Sequence, residues 1–370
     1  MELHLSEKLA DERRRRGIRQ EDLAAFMGVS KAAVSKWENG QSFPDITLLP
    51  VLAAYFNMSI DDLIGYEPDL SRDQIRHHYQ RLADAFAARP FAEVMTACED
   101  MVKTYYACLP FLLQMAVLLL NHAHLAPDPL PVYEKILALT DRVLQNSRDA
   151  GELEEASNVQ AISLLMAGKP AMVRDKIGER LRPQSQQSSL LGQAYIMLGQ
   201  PEKAARVWQV DAYQHLLSLV GTSSVLISMA GEEPSLTEER IRRTLALIDL
   251  FQLDSLHFNV AAQFLMTAAV YFCQSGQETE ALAMLERYVR CCTSQTFPIA
   301  LHGDAYFPAV DGWLAEELSL GTLAPRADAT VRESILETLT ENPAFASLSG
   351  HPRFIALADR LTRHLRSDHT

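Results

Sequence analysis

The chain has 370 residues, with 34 Lys and Arg against 47 Asp and Glu, a formal charge of −13. A content of 48% hydrophobic and 22% charged residues is that of a well-packed protein of two or three domains, which excludes disorder and collagen-like repetition. So acidic a total also argues against a general coat on nucleic acid, because nonspecific binding needs a positive field, and the charge has to be divided by segment.

Residues 1–65 carry eight basic and ten acidic side chains, so most of the negative excess lies further on. Within residues 13–36, Arg13, Arg14, Arg15, Arg16, Arg19, Lys31 and Lys36 face only Glu21 and Asp22, a local charge of +5. A patch of that kind suffices to approach a phosphate backbone.

Helical punctuation divides this stretch. Leu5 and Leu9 form an apolar i, i+4 pair on a first helix, the arginine run complements its C-terminal dipole, and Gly17 ends it. A second helix, Gln20 to Met27, carries Glu21 and Asp22 in its first turn and Leu23, Ala24 and Met27 as its buried stripe, and Gly28 closes it. Ser30 offers an N-cap oxygen to a third helix, Lys31 to Asn39, ended by Gly40. Two helices of about eight residues joined by Gly28-Val29-Ser30 are a helix-turn-helix signature.

Arg19-Gln20-Glu21-Asp22-Leu23-Ala24, Gly28-Val29-Ser30 and Val34-Ser35-Lys36-Trp37-Glu38-Asn39-Gly40 together resemble the Cro/C1 (XRE-type) repressor family. Pro44-Asp45-Ile46, Leu48-Leu49, Leu52-Ala53, Phe56 and Ile60-Asp61-Asp62-Leu63-Ile64-Gly65 match that family's fourth and fifth helices. On the third helix Val34 and Trp37 point one way, while Lys31, Ala32, Ser35 and Lys36 occupy the opposite face. The lysines suit guanine edges or phosphate, and Ala32 permits close approach or contact with a thymine methyl. The resemblance implies that Gln20, Ser30 and Asn39 anchor phosphates, and that a partly buried Arg13–Glu38 pair holds the first helix to the third. Arg14, Arg15, Arg16 and Arg19 are then the candidates for diffuse phosphate contact.

Residues 67–74 read as a short polar linker and residues 75–370 as one helical domain without the alternating pattern of strands. Its most apolar run, Leu109 to Leu120, is too short to span a bilayer and reads as a buried helix. Leu164-Leu165-Met166-Ala167-Gly168-Lys169-Pro170 resembles Ile196-Met197-Leu198-Gly199-Gln200-Pro201 and Ile227-Ser228-Met229-Ala230-Gly231-Glu232-Glu233-Pro234, with Gly276 following later. This predicts a helix–turn–helix hairpin repeated at about 34 residues. The copy Leu191-Gly192-Gln193-Ala194-Tyr195 with Gly199, Ala204 and Trp208 is similar to a tetratricopeptide (TPR) repeat, in which Gly192 and Ala204 allow close helix approach. Segments 94–121 and 133–153 predict two further hairpins, and the segments around Pro343 and Pro352 a closing pair of turns.

The expected fold is therefore all-α: a five-helix Cro/C1-type domain over residues 1–66 followed by a TPR-like α-solenoid. Such a stack exposes an inner surface suited to an extended peptide. Alignment on the glycines puts Asn158, Gln186, Gln193 and Gln263 on that face, where amides can pair with a peptide backbone whatever its side chains. No catalytic or cofactor motif is present: His77-His78 and His122/His124 are too closely spaced to share a helix face, and there is no Walker A, G-x-S-x-G or dinucleotide loop. Cys98, Cys108, Cys273, Cys291 and Cys292 form no C-x-x-C pair and read as free thiols of a reducing cytoplasm. No secretory leader or membrane span is expected, and neither is a metal or cofactor.

These readings predict a cytoplasmic, non-enzymatic DNA-binding regulator that dimerises through its helical part on a double-stranded operator. The whole arrangement resembles peptide-responsive regulators of Gram-positive bacteria, which implies a small peptide in the groove. The alternative is a scaffold whose solenoid holds a protein partner constitutively and whose head tethers it to DNA.

Overall fold

A computed structural model describes residues 4–66, 69–180, 187–229 and 233–367. Among these residues the regular elements are helices, and an isolated β-bridge joins Ala300 to Leu323. The N-terminal helices are α1 (Leu5–Arg15), α2 (Gln20–Met27), α3 (Lys31–Glu38), α4 (Leu49–Tyr55) and α5 (Ile60–Ile64). Gly28 has φ 68°, a left-handed value that a side chain would resist, and it turns the chain from α2 toward α3. The Ser30 hydroxyl caps α3 by accepting from the Ala33 N–H at 3.2 Å. The helix ends one residue earlier than the sequence predicts, with Asn39 as its cap. Leu5, Leu9, Leu23, Met27, Val34, Trp37, Leu52, Phe56 and Leu63 share one buried core, so each of the five helices contributes.

The chain continues as α6 (Arg72–Ala88), α7 (Phe91–Thr104), α8 (Leu109–His122), α9 (Leu130–Asn146), α10 (Ala150–Met166), α11 (Pro170–Ile177), α12 (Gln187–Met197), α13 (Pro201–Ser228) and α14 (Pro234–Leu250). It closes with α15 (Leu253–Leu256), α16 (Phe258–Gln274), α17 (Glu278–Thr293), α18 (Val310–Glu317), α19 (Asp328–Thr340) and α20 (Pro352–Ser367). Two compact units emerge. One comprises Met1–Ile75, Met95–Val117 and Glu134–Gln160, the other Arg76–Val94, Leu118–Tyr133 and Ala161–Thr370.

In the second unit, α12 and α13 pack as the TPR-like sequence predicts. Gly192 and Ala204 are buried. A Cβ on Gly192 would stand 2.3 Å from Cε2 of Trp208, so the indole occupies the space that the glycine leaves. Helices α16 and α17 form a second antiparallel hairpin whose core includes Phe264, Leu265, Leu285 and Val289. Pro170, Pro201 and Pro234 each begin a helix, where the missing N–H costs nothing.

One predicted hairpin is absent. The segment following Gly199 is a single helix of 28 residues, α13, not two short ones. Gly221 lies inside it without breaking it, and Ser223 and Ser224 bond their hydroxyls within the same helix, to the carbonyls of Leu219 (2.8 Å) and Val220 (3.2 Å). Gly231 and the Ala230 before it lie outside the described residues. The run Leu109 to Leu120 lies in α8 and is largely buried, and no helix among the described residues is long and apolar enough to cross a membrane.

Candidate nucleic-acid interface

Helix α3 is divided lengthwise. Val34 and Trp37 are 0% and 5% exposed, while Lys31, Ala32, Lys36 and Asn39 are open to solvent and Ser35 is half-buried among them. A helix with a small, polar outer face and an apolar inner one can enter a major groove without exposing its own core. The outer residues are not all idle. Lys31 Nζ donates to Glu21 Oε1 of α2 at 2.7 Å, and this hydrogen bond, with the lysine's charge, holds the Glu21 carboxyl below the usual carboxylate range. Asn39 Nδ2 approaches Ser35 Oγ at 3.5 Å.

Behind α3, Glu38 receives Arg13 at both carboxylate oxygens, with Nη2 to Oε2 at 2.9 Å. The third guanidinium nitrogen, Nη1, donates to the Ile18 carbonyl at 2.7 Å. Burial pushes the Glu38 carboxyl up, but the bonds from Arg13 and Gln20 and the Arg13 charge outweigh it and hold the group ionised below its ordinary value. The pair implied by the resemblance is thus present, and it locks α1 to the end of α3.

Gln20 stands where the resemblance puts it, at the start of α2, but its side chain turns inward: Nε2 donates to Glu38 Oε2 at 2.8 Å. The residue joins the Arg13–Glu38 pair in positioning α3. Ser30 is likewise engaged as the α3 cap. Arg19 is exposed, with Nε 3.3 Å from Asp22 Oδ2. Arg16, another candidate for diffuse phosphate contact, is partly engaged within the domain. Its guanidinium donates to the Phe56 carbonyl and lies over the Phe56 ring at 5.5 Å, which ties α1 to the end of α4.

The local charge also changes when the fold is known. The arginines on α1 pair with Asp11, Glu12 and Glu38, which lie just outside residues 13–36. Over residues 11–38 seven basic groups face five acidic ones, a net of +2 in place of +5. Lys36 makes no ion pair among the described residues and is the least encumbered cation of the face. Residues missed from the sequence also flank this helix. Phe43 and Ile46, 60% and 77% exposed, stand on the segment after α3, and Phe26 packs against Tyr55 with the rings tilted and their centres 4.4 Å apart. Only a phenylalanine in the polar run Gly40-Gln41-Ser42-Phe43 hinted at the first of these.

The four residues expected to line a groove fare differently. Gln263 borders a cavity of about 350 Å³ between α16 and α19, with Asn259 and Thr267 one turn to either side. Gln193 is exposed on α12, and Asn158 is exposed on α10 within the other unit. Gln186 lies outside the described residues. Asn259, on the same helix face as Gln263, was legible from its i, i−4 spacing, whereas Arg326 at the cavity edge had no signal. Among the remaining titratable groups, His122 is wholly buried, its Nδ1 2.8 Å from the Leu118 carbonyl and its ring stacked on Phe86. Burial, first of all, lowers it to about 4. Cys98 and Cys291 are buried thiols, and burial pushes both up to about 12, so little reactive thiolate forms near neutral pH. Among the described residues no group of three or more His, Cys, Asp or Glu is arranged to hold a metal.

Residues 9–63 match the helix-turn-helix family, and the N-terminal part of the chain is a helix-turn-helix domain of the XRE type. It is similar to the HTH-type transcriptional activator BcrR of Enterococcus faecalis, with 35% identity over 65 residues, or 18% of this chain and 32% of that protein. The chain thus spans about a third of the length of that relative. Among solved structures, the apo form of the competence regulator ComR from Streptococcus vestibularis aligns over 80% of this chain and 93% of its own, at 14% identity and a TM-score of 0.28. ComR from S. thermophilus in complex with DNA and its signalling peptide ComS aligns over 78% and 93%, at 14% identity and a TM-score of 0.25. At such scores the likeness carries no residue-by-residue correspondence.

Proposed function

We propose that the chain is a sequence-specific DNA-binding transcriptional regulator whose α3 reads the major groove. The observation that carries this reading is the division of α3: Val34 and Trp37 anchor it, and Lys31, Ala32, Ser35, Lys36 and Asn39 face outward. Arg19, the cap at Ser30 and the N-terminus of α2, positioned by Gln20, set the phosphate register. Measuring affinity for a selected operator with Lys31→Ala and Lys36→Ala tests it, and unchanged affinity in both variants refutes it.

One head of this size covers little DNA, so the working form is a homodimer on a near-palindromic site. The exposed Leu165, Met166, Met172, Ile177 and Met197 of α10 to α12, with Leu198 just beyond, supply apolar surface that a second copy would cover. The helical part senses a small peptide, works without catalysis, and acts in the cytoplasm. The scaffold alternative keeps the same head, and it is separated by whether peptide alters operator affinity.

A further inference from the structure

Three side chains around α16 have polar capacity that the fold leaves unused. Among the described residues the side-chain amides of Asn259 and Gln263 make no hydrogen bond, and Arg326 makes no ion pair. Its recorded bond is from Nη1 to Ser334 Oγ at 3.2 Å, which leaves most of its five donors open. All three border the cavity between α16 and α19. Phe258, Asn259, Arg326 and Val331 also border an adjoining cavity of about 280 Å³, so Arg326 stands where the two meet. No Asp or Glu belongs to either described lining. In a chain of net charge −13, the cavities therefore present one cation and no anion.

We infer that this paired cavity binds the carboxy-terminal end of a short uncharged peptide, with its terminal carboxylate on Arg326 and its backbone on Asn259 and Gln263. A guanidinium with an open fork matches a carboxylate. The two amides lie one turn apart, about 6 Å along the helix axis, close to the roughly 6.6 Å between alternate residues of an extended chain. An amide that donates and accepts at that interval can follow a peptide backbone without reading its side chains. The assignment rests on the peptide-sensing reading and adds to it the ligand's polarity and direction.

The test exposes the full-length protein to a pooled library of heptapeptides with uncharged side chains and free carboxy-termini, and separately to the same pool amidated. Retention is read by mass spectrometry. The amidated pool carries the more positive charge, so the acidity of the chain biases the experiment against the proposal. The free-acid pool is expected to be retained roughly tenfold or more over the amidated one. Arg326→Gln should erase that preference and Arg326→Lys restore part of it, with melting temperatures matching the unmodified protein. Equal retention of both pools, or a preference that survives Arg326→Gln, overturns the carboxylate assignment and leaves peptide sensing standing. Retention of neither pool overturns both.

Discussion

Arg13 and Glu38, 25 residues apart in sequence, meet side by side, with the guanidinium reaching both carboxylate oxygens and 13% and 4% of the two side chains exposed. The pair fixes the helix that faces outward to the one that carries the arginine run. Replacing Glu38 by Gln leaves the arginine charge without its partner, and breaking a pair of this burial costs about 2–4 kcal/mol. Calorimetry of the full chain should show an N-terminal transition at lower temperature in Glu38→Gln.

The same pair sets an acid limit. The Glu38 value is depressed in the folded state, so its contribution is complete above the unfolded carboxylate value, near 4.5, and is lost as pH falls through the lower folded value. Acid titration followed by circular dichroism should find the head of Glu38→Gln less stable at neutral pH but flatter in its response below about pH 4.5.

His122 sets a second, higher limit. Its folded value of about 4 lies below the usual 6.5, so burying it neutral stabilises the fold above pH 6.5 and loses that advantage down to about pH 4. Over that interval the difference amounts to about 3 kcal/mol. Urea unfolding at pH 7.5 and 5.0 should reveal the loss, and His122→Phe, which keeps the stack on Phe86, should shrink it.

Gly192 and Trp208 offer a sign-reversing test. In an ordinary helix interior Gly→Ala gains about 1 kcal/mol, but the new Cβ would meet the Trp208 ring, and overpacking costs about 1–3 kcal/mol. Gly192→Ala should therefore destabilise the chain by itself and stabilise it in a Trp208→Ala background. A double-mutant cycle of melting curves measures the coupling.

On the DNA side, Glu21 competes with phosphate for Lys31. Glu21→Gln frees the lysine and should raise nonspecific DNA affinity several-fold and steepen its salt dependence by about one counterion. Lys36→Ala should act the other way. Binding isotherms between 50 and 200 mM salt, roughly, read both.

The head was legible in the sequence because its signals are local and mutually consistent: Gly28 and Ser30 mark the turn, and Val34 with Trp37 gives the buried stripe. What escaped was pairing. Beyond the Arg13–Glu38 pair that the resemblance implied, Asp11 and Glu12 fall outside the basic run in sequence yet pair with it in space, and Gln20 turns toward Glu38 because an ionised, nearly buried carboxylate demands donors. In the helical part the glycine and proline punctuation gave correct helix starts at Pro170, Pro201 and Pro234. It could not reveal that α13 runs 28 residues without a break, because continuation through Gly221 depends on packing along the whole helix. Arg326 was invisible because what sets it apart, cavity linings without Asp or Glu among the described residues, exists only once the fold assembles them.

Helix α3, on the proposed reading, recognises DNA sequence from within a dimer. Selection of bound fragments from a random pool by the full-length protein, with sequencing of the retained DNA, tests it most directly. Two inverted half-sites are expected, with centres separated by about 10 base pairs or a multiple, lost with Lys31→Ala and Lys36→Ala combined. Recovery of no common sequence, or of a lone half-site, would contradict it.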